Sequence, residues 1–235
     1  MTIDSDAPPG TGPDGGEQTR DQSKEVARIA AFSDGVFAIA ITLLALELGI
    51  PRDTGVDVWT AVGQQHATFS AFLISFSAVG VYWAAHHRLF SVIERYDERL
   101  IWLNLIMLLF IVLTPFTTSL IGEHGGAMAA VTLYTLAIAA VGCSMTGMAA
   151  YALRGGRLGG RHMSDRMRRH YIWRGLKIAA VSLGPLVPLP PGANVIELTW
   201  LVVIVLEQVV AYRVVRAGET RSRRRRTWGD TGRRM

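Results

Sequence analysis

A single cysteine, Cys143, among 235 residues rules out an intrachain disulfide. It lies inside an apolar run, where a lone thiol is expected to pack as a small apolar side chain. The first residues lack the basic start and apolar core of a signal peptide; they are acidic and rich in Gly and Pro, so no such peptide is expected. No His-x-x-x-His spacing and no carboxylate cluster accompanies the adjacent His86 and His87. On a helix those two side chains point about 100° apart, so neither a metal site nor an enzyme active site is expected. His66, His124, His162 and His170 are scattered and form no group. There is also no internal repeat, so one copy carries no symmetry of its own.

What the chain has in abundance is apolar residues, 50% of the total, and they are clustered. Six runs approach or reach the roughly 20 residues needed to cross a bilayer, near 29–49, 67–87, 100–120, 127–152, 171–190 and 193–215. The fifth is the shortest in its apolar part, Ile178 to Leu189, and holds Pro185, Pro188, Pro190 and Pro191, which predicts a kinked or unwound end. The expected fold is an all-α membrane protein with six transmembrane helices per subunit, occupying residues 24–217. Residues 1–23 read as a disordered tail, with helix starting near Asp21 or Ser23, and 218–235 as a basic C-terminal tail.

Charge sets the orientation. With six spans, 23 of the 24 Lys and Arg residues lie on the side of both termini and the loops 88–99 and 154–170, and only Arg52 lies opposite. The positive-inside rule makes that side cytoplasmic, in a multi-pass protein of the cell membrane. The run Arg221 to Arg226 then faces anionic lipid at the membrane surface, and no nucleic-acid partner is expected. The basic loop 154–170 reads as a solvated anchor on the same side. A short amphipathic piece around Val56–Val62 is expected on the other side, with Trp59 at interface depth.

The first span carries the densest polar cluster, Ser33 and Asp34. A carboxylate in a spanning helix costs about 2.5–3.5 kcal/mol on insertion scales, so Asp34 needs a partner. At about 100° per residue, Ile39, Thr42 and Leu46 share one narrow sector, with Phe32 and Gly35 on the same side. Asp34 sits about 140° from Ile39, away from that stripe. Arg28 lies too far round the helix to pair with Asp34, so the partner comes from another helix or subunit. His86/His87 on the second span and Asn104 on the third fall at the depth of Asp34. Further along the third span, Pro115 is flanked by Thr114, Thr117 and Thr118, whose hydroxyls can occupy carbonyls that the proline frees.

The pattern Arg-x-x-x-Phe-Ser-Asp-Gly (Arg28, Phe32, Ser33, Asp34, Gly35), followed by Tyr82-Trp83-x-x-His86-His87, Asn104 and Thr114-Pro115-Phe116, resembles the signature of the transmembrane protein 175 family. The resemblance covers most of residues 28–120. It implies a potassium-selective channel in which four six-span subunits assemble and the first helix of each lines a central pore. It also implies a constriction made by apolar side chains with a threonine ring, here Ile39, Thr42 and Leu46. The chain has no Thr-Val-Gly-Tyr-Gly loop, in keeping with such a filter. Arg28, Phe32, Ser33, Asp34, His86, His87 and Asn104 are then expected to form a supporting network that fixes the rotation of the first helix. Membrane lipid and permeant potassium are the expected partners, with no cofactor. The alternative is a proton-coupled secondary transporter using Asp34 and the membrane histidines, against which the missing internal repeat weighs.

Overall fold

The computed structural model describes residues 13–49, 57–124, 127–160, 163 and 165–182. All of them fall in the first of the two units into which the chain divides, Met1–Val187 and Pro188–Met235. The described part is all-helical: α1 (Pro13–Leu46), α2 (Val58–Gln64), α3 (His66–Phe90), α4 (Glu98–Glu123), α5 (Met128–Leu153) and α6 (Asp165–Ser182). Four of these helices, among the described residues, are long and apolar enough to cross a membrane: Arg20–Leu46, His66–Phe90, Glu98–Glu123 and Met128–Gly156. They match the first four expected spans. The fifth overlaps α6, which starts earlier than expected and opens on a polar stretch; the sixth, and the basic tail at 218–235, lie outside the described residues.

The start of α1 corrects the expected boundary. Residues 13–23 are helical and not a structureless tail. Proline is well suited to the first helical position, because its missing N–H is unpaired there in any residue.

α1 packs on α3 and α4, α4 on α5, and α5 on α6. Its buried positions, Val26, Ser33, Phe37, Ala40 and Leu44, recur at helical spacing and define a single inner face. Helix α5 is the most enclosed span and presents Ala137, Ala139, Gly142, Ala149 and Ala152 inward. Small side chains let helices approach closely where apolar burial from water no longer drives association. Cys143 corrects its expectation: it is exposed, one position past buried Gly142 and so about 100° round the helix.

Pro115 lies inside an unbroken α4. The threonine hydroxyls donate to the carbonyls of Phe110 (Thr114, 3.1 Å), Leu113 (Thr117, 3.3 Å) and Thr114 (Thr118, 2.8 Å). They therefore serve neighbours of the Ile111 carbonyl, the one that a proline at 115 leaves without its helical donor. Thr118 also lies 2.8 Å from the Ser75 hydroxyl, which in turn bonds Tyr134 at 3.1 Å, so one buried polar cluster joins α3, α4 and α5.

At the other face of the bundle, α2 falls where the amphipathic piece was expected. The Asp57 carboxylate caps it by accepting from the backbone N–H groups of Trp59 and Thr60, and Trp59 is 82% exposed. Bonds from the Thr60 hydroxyl and then from those N–H groups hold the Asp57 carboxyl below its ordinary pKa.

Within the basic segment read as a solvated anchor, residues 154–160 are folded, with Arg154 and Arg157 exposed. The N–H groups of Glu94 and Arg95 both donate to the Leu158 carbonyl at 2.9 Å, and Ile93 bridges Gly159. Gly155, Gly156 and Gly160 take positive φ near 64°, 67° and 66°, a region where glycine alone is unstrained. Gly159 is needed for a different reason: a Cβ there would sit 2.2 Å from the Val92 carbonyl oxygen. Gly159→Ala should therefore part the two turns and lower stability by about 1–3 kcal/mol, read as a reduced Tm of the detergent-solubilised protein.

Candidate functional site

Each residue of the site can be placed from the inner face of α1 outward. Ser33 is fully buried, and its hydroxyl donates to the Ile29 carbonyl one turn back at 2.9 Å. With its hydrogen used there, the oxygen accepts from Asn104 Nδ2 of α4 at 2.9 Å. The amide is thereby oriented, and Asn104 Oδ1 faces His86 Nε2 of α3 at 3.0 Å. An amide oxygen can only accept, so His86 is held as the tautomer protonated on Nε2. Three helices meet at this chain of polar atoms: α1, α3 and α4.

His86 is completely buried, stacked on Phe90 with ring centroids 4.3 Å apart and tilted against Phe37 at 5.6 Å. Its Nδ1 has no hydrogen-bond partner among the described residues. A polar junction in a membrane core is worth more than its bond count suggests, since no water waits to satisfy a group left behind.

Of the residues expected to form a supporting network, Ser33, Asn104 and His86 come together. The others do not join them. Asp34 is partly exposed and accepts instead from the indole N–H of Trp83 at 2.9 Å. His87 is exposed and tilts against that same indole at 5.8 Å. Arg28 pairs with Glu25 of its own helix at 2.7 Å, on a side chain that is 77% exposed. Phe32 is exposed on the outward side of α1. The choice between the adjacent histidines thus falls to His86, because α3 turns Tyr82 and His86 inward and Trp83 and His87 outward.

Trp83 is the partner missed from sequence, where it entered only through the Tyr82-Trp83-x-x-His86-His87 pattern. The signal lay in its spacing: it stands four residues before His87, so it shares that residue's side of α3, and its N–H is an obligate donor.

The remaining face of α1 points away from the bundle. Ile39 is 61% and Leu46 76% exposed, and Thr42 is exposed between them. This stripe lies about 160° round the helix from the buried face. The Thr42 hydroxyl donates to the Ile39 carbonyl at 2.8 Å, which leaves the oxygen's lone pairs free on the outer surface.

Comparison with known proteins gives consistent results. The family described as "Endosomal/lysosomal potassium channel TMEM175" matches residues 28–115. A potassium channel of Chamaesiphon minutus is 34% identical over 173 residues, which is 69% of this chain and 85% of that protein. A potassium channel of Streptomyces collinus is 42% identical over 101 residues, 43% of this chain; the match spans only 49% of that relative. Among solved structures, a lysosomal potassium-selective channel TMEM175 homolog from Chamaesiphon minutus superposes with a TM-score of 0.65 at 30% identity, covering 81% of this chain and 98% of that one.

Removing the middle of the polar chain tests the junction. Asn104→Leu leaves the His86 Nε2–H without its acceptor, while Ser33 keeps its bond to Ile29, and should cost about 2 kcal/mol in thermal unfolding. Arg28→Ala, which breaks only an exposed pair, should change stability by less than about 1 kcal/mol.

Proposed function

Because the chain belongs to the TMEM175 family, we propose that it is a potassium channel of the cell membrane, with α1 of each subunit facing a central pore. The observation that carries this reading is the outward stripe of Ile39, Thr42 and Leu46, which is exposed among the described residues. Six spans per subunit, four subunits about one axis and cytoplasmic termini complete the proposal. The charge count and the match to the potassium-selective homolog support it.

Around such an axis Ile39 and Leu46 form two apolar rings with Thr42 hydroxyls between them. A narrow apolar ring opposes conduction by shedding water, because a cation cannot carry its full hydration shell through it. Potassium gives up water more easily than sodium. A constriction that repays only part of the loss therefore admits potassium first. The Thr42 oxygen, with its hydrogen committed to Ile39, turns only acceptor lone pairs toward the ion. Selectivity is weaker than in a filter that replaces the whole shell with carbonyls.

The transporter alternative is not favoured. Asp34 bonds Trp83 and neither histidine, and it lies well away from the stripe.

Two measurements check the proposal. Thr42→Val keeps the width of the constriction and removes its oxygen, so the potassium-to-sodium flux ratio in proteoliposomes should fall a few-fold; an unchanged ratio counts against Thr42 as the selective ring. Native mass of the purified protein should correspond to four copies of the 25.7 kDa chain, and a monomeric mass for a conducting sample would remove the shared axis.

A further inference from the structure

The two turns at the cytoplasmic end of the bundle carry more order than topology requires. A positive-inside signal needs arginines at the right end of the spans, whatever their conformation. Here the turn 91–97 and the segment 154–160 are bonded to each other through the Leu158 carbonyl, and glycines at four positions fit that shape. The arginines they carry are therefore presented from a fixed surface. Arg95 donates from Nη2 to the Arg157 carbonyl at 2.9 Å, and the Arg157 guanidinium lies 5.0 Å over the Tyr151 ring. Arg154 is exposed on the same segment, and Arg99 is exposed in the first turn of α4.

These four cations lack a counter-charge within the described residues: no carboxylate lies within 4.0 Å of any of them, and the ion pairs present involve Lys24, Arg28 and Arg168. The carboxylate best placed to neutralise them, Asp97, is already engaged. One of its oxygens caps α4 through the Leu100 N–H at 2.9 Å and the other accepts from the Tyr151 hydroxyl. Glu94 and Glu98 are exposed nearby, and Glu98 takes a long bond from the Trp102 indole at 3.4 Å.

We propose that this surface binds the phosphate of an anionic phospholipid of the cytoplasmic leaflet through Arg95, Arg99, Arg154 and Arg157. Guanidinium groups match phosphate with two parallel N–H bonds, and stacking on Tyr151 orients one of them without using its donors. Depth selects a lipid over a free anion. The arginines stand at the ends of α3, α4 and α5, and exposed Trp102 lies one turn into α4, where an indole sits at headgroup level.

The test uses the full chain in detergent and native mass spectrometry with three probes: dioctanoyl phosphatidylglycerol, dioctanoyl phosphatidylcholine and inorganic phosphate. The anionic lipid should bind more tightly than the zwitterionic one. The variant Arg99→Gln/Arg154→Gln/Arg157→Gln, which spares the Arg95 bond to the backbone, should lose that preference by about fivefold per arginine removed. Arg20→Gln/Lys24→Gln, on exposed positions of α1, should keep it. Should the triple variant lose its helical circular dichroism, Arg154→Gln alone carries the same test at about fivefold. Equal affinity for the two lipids, a preference retained in the arginine variants, an equal loss in the α1 control, or phosphate binding as tightly as the lipid would each overturn the proposal.

Discussion

The rotation of α1 about its own axis is the constraint on which the rest depends. The Ser33 hydroxyl donates to its own helix, and its oxygen is the acceptor for the Asn104 amide of α4. The amide's own oxygen is held by His86, so the inner face of α1 is tied to the bundle at one point. Phe37, Ala40 and Leu44 pack on the same side, one to three turns further along. Turning the helix by even a third of a revolution would break the Asn104 bond to Ser33 and leave the buried Asn104 N–H unpaired, at a cost of about 1–3 kcal/mol. Polar atoms thus fix an orientation that apolar packing alone would leave soft, since lipid tails are as apolar as leucine.

That fixed orientation determines what the opposite side can do. Ile39, Thr42 and Leu46 are presented outward because Ser33 and Phe37 are held inward, and among the described residues they stay exposed. Asp34 falls on the flank between the two faces, where Trp83 takes one of its oxygens and keeps it on the α3 side. In the channel proposal this separation keeps a fixed negative charge off the apolar stripe, where it would hold water and defeat a constriction that works by excluding it.

Much of this arrangement was legible from residue spacing. The inner and outer faces of α1 follow from a period of 3.6, and the first four spans from apolar length. The coincidence of Asn104 and a histidine at one depth also followed, because helix length converts residue number into height. What failed was partner choice. Asp34 was placed in one network with the histidines and Asn104 because they share its depth. Its bond runs instead to the Trp83 indole N–H on the same helix as those histidines, and only packing could place it. Arg28 was drawn into the network by its place in the motif; its reach is satisfied one turn away by Glu25. The folded turn at 154–160 was hidden because its stability comes from glycine conformation and a contact with residues some sixty positions earlier, neither of which leaves apolar periodicity. Cys143 misled for a simpler reason: a thiol gives no sign of which side of an apolar helix it occupies.

The central claim is that the outer stripe of α1 borders a water-filled path for ions. It is tested most directly by Leu46→Cys in a Cys143→Ser background, with potassium flux followed in proteoliposomes while a charged, water-soluble thiol reagent is added. The account predicts that modification at position 46 stops the flux, whereas the same reagent leaves flux intact when the cysteine replaces Leu105 on the exposed side of α4. If position 46 reacts only with lipid-soluble reagents, or reacts fully while flux continues, the stripe faces lipid and the account is contradicted.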